Sequence, residues 1–191
     1  MDLRINPYLV SLAQQVLLAT GNAGLSKVRF AKTLYFVHKG LVQSDRVPAK
    51  ELAFVRMPLG PVPVQFSRLQ ASNTGINATS TPTGLAYDAI TYRLEEKVEP
   101  TELYDDVLRI CQMIRPFTTS ELVEISHQDP SWINRENSQE YYIADEDLAN
   151  QLPRKAKKRT EDQDKQQLQA QLLSGMLADI VEESTDLEYP S

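Results

Sequence analysis

Three side chains in this sequence invite a chemical role, and their neighbours decide whether they can perform one. Cys111 is the only cysteine. A thiolate beside an imidazole is a workable nucleophile, but Cys111 falls on the apolar stripe Leu103, Val107, Ile110, Ile114, where burial suppresses thiolate formation. His38 sits on the apolar face of the helical pattern 25–42 and reads as a core histidine. His127 lies in SHQDPSWIN beside Asp129 and Trp132, and a His–Asp pair can act as a general base. Asp129 directly precedes Pro130, however, which is the place of a helix N-cap. His127 takes a helix C-terminus, where the dipole favours a cation. Two histidines and one cysteine fall short of an ordinary structural zinc site, and LGPVP lacks the glycines and lysine of a phosphate loop. The expectation is a non-enzymatic protein with no catalytic residue, metal or cofactor.

The elements that position these residues are organised around LSKVRFAKTLYFVHKGLV, residues 25–42. Val28, Ala31, Leu34, Tyr35, His38, Leu41 and Val42 recur at spacings of three and four, the period of a helix that buries a wide face. Ser26 is its N-cap. Asn6-Pro7 opens an earlier helix with Leu9, Leu12, Ala13, Val16 and Leu17 on its stripe, and the turn 21–24 folds it back against the first. LAFVR (52–56) reads as a short strand. Gly60-Pro61 is expected to begin a helix with Val62, Phe66 and Leu69 on its buried side.

Residues 76–81 and 89–96 alternate in period two around a turn-rich stretch and predict a β-hairpin with a long tip. Pro100-Thr101 opens a helix that Pro116 stops. Thr118 and Glu121 have the spacing of a capping box, and ELVEISH follows as a short helix. Asp129-Pro130 opens another, Tyr141–Ile143 is a short strand, and Asp145 caps a last helix that ends at Pro153. The fold class is therefore α+β, mainly α-helical: a compact helical domain with a short strand and a β-hairpin, plus a C-terminal amphipathic helix on a linker. The domain is expected over 1–153, a charged linker over 154–165, and an amphipathic helix with an acidic tail over 166–191.

Composition narrows the function classes. The chain has 191 residues, 41% of them hydrophobic and 24% charged, with a net charge of −6. That charge repels phosphate backbones as a whole, so nucleic-acid binding would need a local basic patch. The basic run RKAKKR (154–159) has acidic neighbours and no interleaved aromatics, which disfavours that role. A single cysteine fits a reducing compartment. The sequence has no apolar run of spanning length, and MDLRINPYLV lacks the order of a signal peptide, so the expected location is the cytoplasm, without membrane contact.

Three stretches, in order, resemble the Panacea domain, the SocA-like antitoxin family of bacteria and their phages. KVRFAKTLYFVHKGLV is similar to its leucine-tyrosine-rich helix, including Tyr35 and His38. Gly60-Pro61-Val62 followed by Phe66 is similar to its Gly-Pro-Val element. ELVEISHQDPSWIN is similar to its helix ending in a histidine, an acidic residue and a tryptophan, here His127, Asp129 and Trp132. Where the family often carries an aromatic and a basic residue before Gly-Pro-Val, this chain has Met57, Pro58 and Leu59, with Arg56 one step back.

The resemblance implies an antitoxin that neutralises a co-encoded protein toxin by direct binding. Its candidate contacts are Tyr35, His38, Arg56, Gly60, Pro61, Val62, His127, Asp129 and Trp132. It also implies an alternative, an adaptor that delivers the toxin to a ClpXP-type protease. A nucleic-acid-binding regulator stands as a second alternative, and a homo-oligomer as a further partner. Beyond the domain, Leu168, Leu172, Met176, Leu177 and Ile180 share one helical side, and such a stripe is expected to bind a partner.

Overall fold

The computed structural model describes residues 5–71, 73–83 and 88–150. The expected boundary at Pro153, the linker and the C-terminal stripe lie outside these residues. In chain order the elements are α1 (Pro7–Ala19), β1 (Leu25–Ser26), α2 (Lys27–Gln43), β2 (Phe54–Met57), β3 (Gly60–Pro63), β4 (Ile76–Thr81) and β5 (Ala89–Leu94). They continue with α3 (Tyr104–Ile114), α4 (Thr119–Ser126), α5 (Pro130–Ile133), β6 (Glu140–Tyr141) and α6 (Asp145–Leu148). Two small antiparallel sheets result, one ordered β1-β5-β4 and the other β3-β2-β6. No helix of the described residues is long and apolar enough to cross a membrane.

α2 is the centre of the molecule. Residues 30–39 are all buried, the signature of a helix enclosed on every side rather than along one stripe. α1, α3, α4 and β3 all pack against it. Ser26 caps it by accepting from the Arg29 N–H, and Asn6 caps α1 by accepting from the Tyr8 N–H, as expected. Thr118 and Glu121 close their capping box at 2.7 and 2.9 Å. Burying the whole circumference of α2 also buries its polar residues, and each must find a partner. Lys32 donates to the Pro61 carbonyl at 2.7 Å, and Lys39 to Asp129 at 2.7 Å.

His38 is fully enclosed, as expected of a core histidine. Its Nε2 lies 3.2 Å from the Ala49 carbonyl, which can only accept, so Nε2 carries the proton. Nδ1 then accepts from the Tyr8 hydroxyl at 2.9 Å. Protonating Nδ1 would break that bond inside a dry core. Burial accordingly lowers the pKa from 6.5 to about 4. The unfolded chain binds its proton first, near 6.5, so stability falls as pH drops from there towards 4. The fall attributable to His38 reaches about 3 kcal/mol. Denaturant titration near neutrality and near about pH 4.5 should show that His38→Gln removes this part of the acid sensitivity.

Three expectations are corrected. Gly60-Pro61 does not start a helix: Gly60–Pro63 is β3, paired with β2 across the two-residue turn Pro58-Leu59. Gly60 sits at φ +93°, which favours glycine. Pro61 and Pro63, lacking N–H groups, are confined to an edge strand, and the helical pattern around Phe66 and Leu69 shrinks to a 3-10 turn over Phe66–Gln70. The helix expected from Pro100 begins instead at Tyr104. At α6 it is Asp147, not Asp145, whose carboxylate accepts from the Ala144 N–H, at 2.9 Å.

Candidate protein-binding site

The residues singled out by sequence divide into a buried framework and a surface cluster, joined through Asp129. Asp129 was expected to cap α5 with its side chain, but it makes no such bond. Its carboxylate points inward and takes the Lys39 ammonium at 2.7 Å, the Tyr35 hydroxyl, and the Asn150 amide at 3.2 Å. Lys39 and Asp129 are almost wholly enclosed, and a buried cation demands a carboxylate more strongly than a helix N-terminus does. Burial first, and then the Asp129 charge, hold the Tyr35 hydroxyl protonated, its pKa well above the usual value. Asp147 adds a second tie by accepting from the Ser131 N–H at 2.8 Å. The short helix α5 is thereby pinned to α2 and α6, and Trp132 with it.

Trp132 is half-buried. Its indole N–H donates to the Met57 carbonyl at 3.2 Å, anchoring it to the end of β2. The His127 ring stacks on it with centroids 3.9 Å apart and planes within 13°. The Arg56 guanidinium carbon stands 4.1 Å from the indole centroid, a cation–π contact. Arg56 is itself fixed by the Trp132 carbonyl, at 3.2 Å, and by Asn137. Gly60 and Pro61 lie buried beneath this cluster. A Cβ at Gly60 would press on Ser126 Oγ and come within 3.1 Å of Lys32 Nζ, so glycine here lets β3 close over α2 and α4. Leu59 joins a small apolar group with Val28 and Val123, and Ile133, next to Trp132, is 56% exposed.

The electrostatics of His127 depart from expectation. It does occupy the C-cap of α4, yet its pKa is lowered, first by burial and then by the Lys32 and Arg56 charges. The dipole that should favour an imidazolium is outweighed by burial together with two nearby cations. The ring is therefore neutral at physiological pH. Its Nε2 is buried and finds no hydrogen-bond partner among the described residues.

Of the nine sequence candidates, three come together at the surface: Arg56, His127 and Trp132. Tyr35, His38, Gly60, Pro61 and Asp129 are framework, and Val62 is half-buried on the edge strand. Lys32 and Lys39 were missed. Two lysines seven residues apart on one side of an otherwise apolar helix signalled that internal carbonyls or carboxylates would be needed.

A cavity of about 470 Å³ lies elsewhere, lined by Leu25, Arg29, Thr33, Cys111, Gln112 and Arg115, among others. Two of its polar side chains, Arg29 and Thr33, are already engaged. Arg29 donates to the Ile114 and Phe117 carbonyls at the C-terminal end of α3, and Thr33 to the Arg29 carbonyl. Burial raises the Cys111 pKa to about 12, which leaves it a thiol. A surface of stacked Trp, His and Arg, held rigid by buried ion pairing, has the composition of a protein contact. Among the described residues no group of His, Cys, Asp and Glu could hold a metal ion.

A family model described as antitoxin SocA-like, Panacea domain, matches residues 30–133, from within α2 to the end of α5. No curated protein matches the chain. No solved structure matches it either.

Proposed function

This chain belongs to the SocA-like antitoxin family with a Panacea domain, and from that premise we propose that it neutralises a co-encoded protein toxin by binding it directly. The binding face is the cluster of Arg56, His127 and Trp132 with Met57, Leu59 and Ile133 around it. The observation that carries this reading is the stack on Trp132. Indole, imidazole and guanidinium are each half-buried, yet the indole and the guanidinium are fixed by hydrogen bonds to backbone carbonyls and the imidazole is held by stacking on the indole. A partner meeting it loses little further side-chain freedom on contact, which is how a preorganised anchor converts area into affinity. The apolar stripe of Leu168, Leu172, Met176, Leu177 and Ile180 is assigned as a second contact with the same toxin. The domain over 1–153 and its cytoplasmic location belong to this reading.

The mechanism needs no catalysis. Cys111→Ser should leave neutralisation unchanged wherever the protein stays folded, because its thiol is enclosed and protonated. A folded Cys111→Ser protein without activity would overturn the non-enzymatic reading. The function itself is tested by expressing the neighbouring reading frame with and without this chain. Growth arrest relieved by the chain supports antitoxin action; arrest that persists with the folded chain present contradicts it.

A further inference from the structure

The cavity of about 470 Å³ lies between the end of α1, the start of α2 and α3, and none of its lining residues belongs to the Trp132 cluster. Its volume falls in the range of small-molecule sites. Thr33, Cys111 and Ile114 are buried at its floor, while Gly21, Gln112 and Arg115 are exposed at its rim. The only charged side chains in the lining are two arginines, Arg29 and Arg115. In a chain of net charge −6, a concavity with two cations and no acid stands out as attractive to anions.

Its hydrogen-bonding capacity is biased the same way. Thr20 and Thr33 spend their hydroxyl protons on helix carbonyls. Arg29 donates to the Ile114 and Phe117 carbonyls, but a guanidinium carries five N–H donors, so others remain for a ligand. Arg29 makes no ion pair among the described residues. Burial lowers its pKa to about 10, outweighing the opposite pull of Cys111 and Glu121. The group stays charged at neutral pH, with its lost hydration only partly compensated. Arg115 follows directly on Ile114, whose carbonyl Arg29 holds. Neither Arg115 nor Gln112 has a side-chain hydrogen bond or ion pair among the described residues. A group that satisfies this set is an anion with oxygen acceptors at one end and an apolar body at the other.

We propose that the cavity binds a small organic acid, its carboxylate held by Arg29 and Arg115 and its apolar body laid against Leu25, Leu108, Cys111 and Ile114. A carboxylate meets a guanidinium through two parallel hydrogen bonds, and an apolar floor strengthens them by lowering the local dielectric. The acid bridges α1, α2 and α3, which pack on one another in the core, so binding stabilises the folded chain by mass action. This goes beyond toxin neutralisation: the domain gains a small-molecule site separate from its protein-binding face.

Octanoate is the probe, titrated into the full chain by calorimetry. Two controls accompany it: 1-octanol keeps the apolar body without the charge, and inorganic phosphate keeps the charge without the body. Octanoate should bind at one site per chain, about tenfold or more tighter than either control. At about 100 times its dissociation constant it should raise the melting temperature by about 5 °C or more. Arg115→Glu should weaken octanoate by about tenfold or more, and Arg115→Lys much less. A merely structural role for this exposed side chain would not produce that contrast. Leu108→Trp, confirmed as folded by thermal melting, should abolish binding by filling the cavity; the Arg115 variants decide the matter even where Leu108→Trp fails to fold. Octanoate that does not bind, or that binds wild type and Arg115→Glu equally, overturns the proposal. So does 1-octanol or phosphate binding as tightly as octanoate, since the site then reads only grease or only charge. No toxin enters this experiment, so its failure leaves the antitoxin reading intact.

Discussion

Replacing Asp129 by alanine lowers the unfolding free energy by about 3–5 kcal/mol, because it strands a buried ammonium. Lys39 and Asp129 are both almost completely enclosed, so no water can take over the lost contact. The Tyr35 hydroxyl and the Asn150 amide lose an acceptor at the same time. Tyr35→Phe removes only one of these bonds and should cost about 1.5–3 kcal/mol, the range for a hydrogen bond to a charged group. The pair Lys39→Met with Asp129→Leu removes both charges together and should recover most of the loss. Urea denaturation of the single variants and the pair checks this order. A single Asp129→Ala variant as stable as wild type would mean that Lys39 reaches solvent, and the framework beneath the site would be wrong.

Trp132→Ala should instead reduce toxin affinity by about 30-fold or more, equivalent to about 2 kcal/mol. Its effect on stability should stay below the roughly 3–5 kcal/mol typical of an enclosed aromatic. Tyr35 supplies the contrast. It is 0% exposed, rings of Phe36 and Phe54 pack on its edge, and Tyr35→Ala should cost the full amount. The sequence placed both aromatics among the candidate contacts. The structure encloses Tyr35 and leaves Trp132 half-buried, so of the two only the indole can meet a partner. Calorimetric titration for affinity and thermal melting for stability distinguish the two variants. If Trp132→Ala melts as early as Tyr35→Ala, the indole is core and the binding face lies elsewhere.

Local signals were legible where one residue type dictates one geometry. Asn6, Ser26 and Thr118 cap their helices as their chemistry requires, and the apolar periods of α1, α2 and α3 are real. The segment 60–63 was misread because Gly60-Pro61 is equally consistent with a helix start and a tight hairpin. Only the packing of Gly60 against Ser126 and Lys32 decides between them. Asp129 was misread for a related reason. Its position before Pro130 describes a local cap, while its actual partners lie 94 and 90 residues away in the chain. His127 followed the same pattern, its protonation set first by burial and then by cations from α2 and β2 rather than by its own helix. The surface cluster was visible as a family motif, but which motif members reach solvent depended on long-range packing.

The central claim, neutralisation by direct contact through the Trp132 face, is tested most directly by titrating the purified product of the neighbouring reading frame into the full chain by calorimetry. The account predicts a saturating complex that changes little between low and moderate salt, as an interface with an apolar core does. Cys111→Ser should preserve that complex, and Trp132→Ala, still folded, should weaken it by about 30-fold or more. A folded chain that binds no toxin, or binds equally well without the indole, would contradict it.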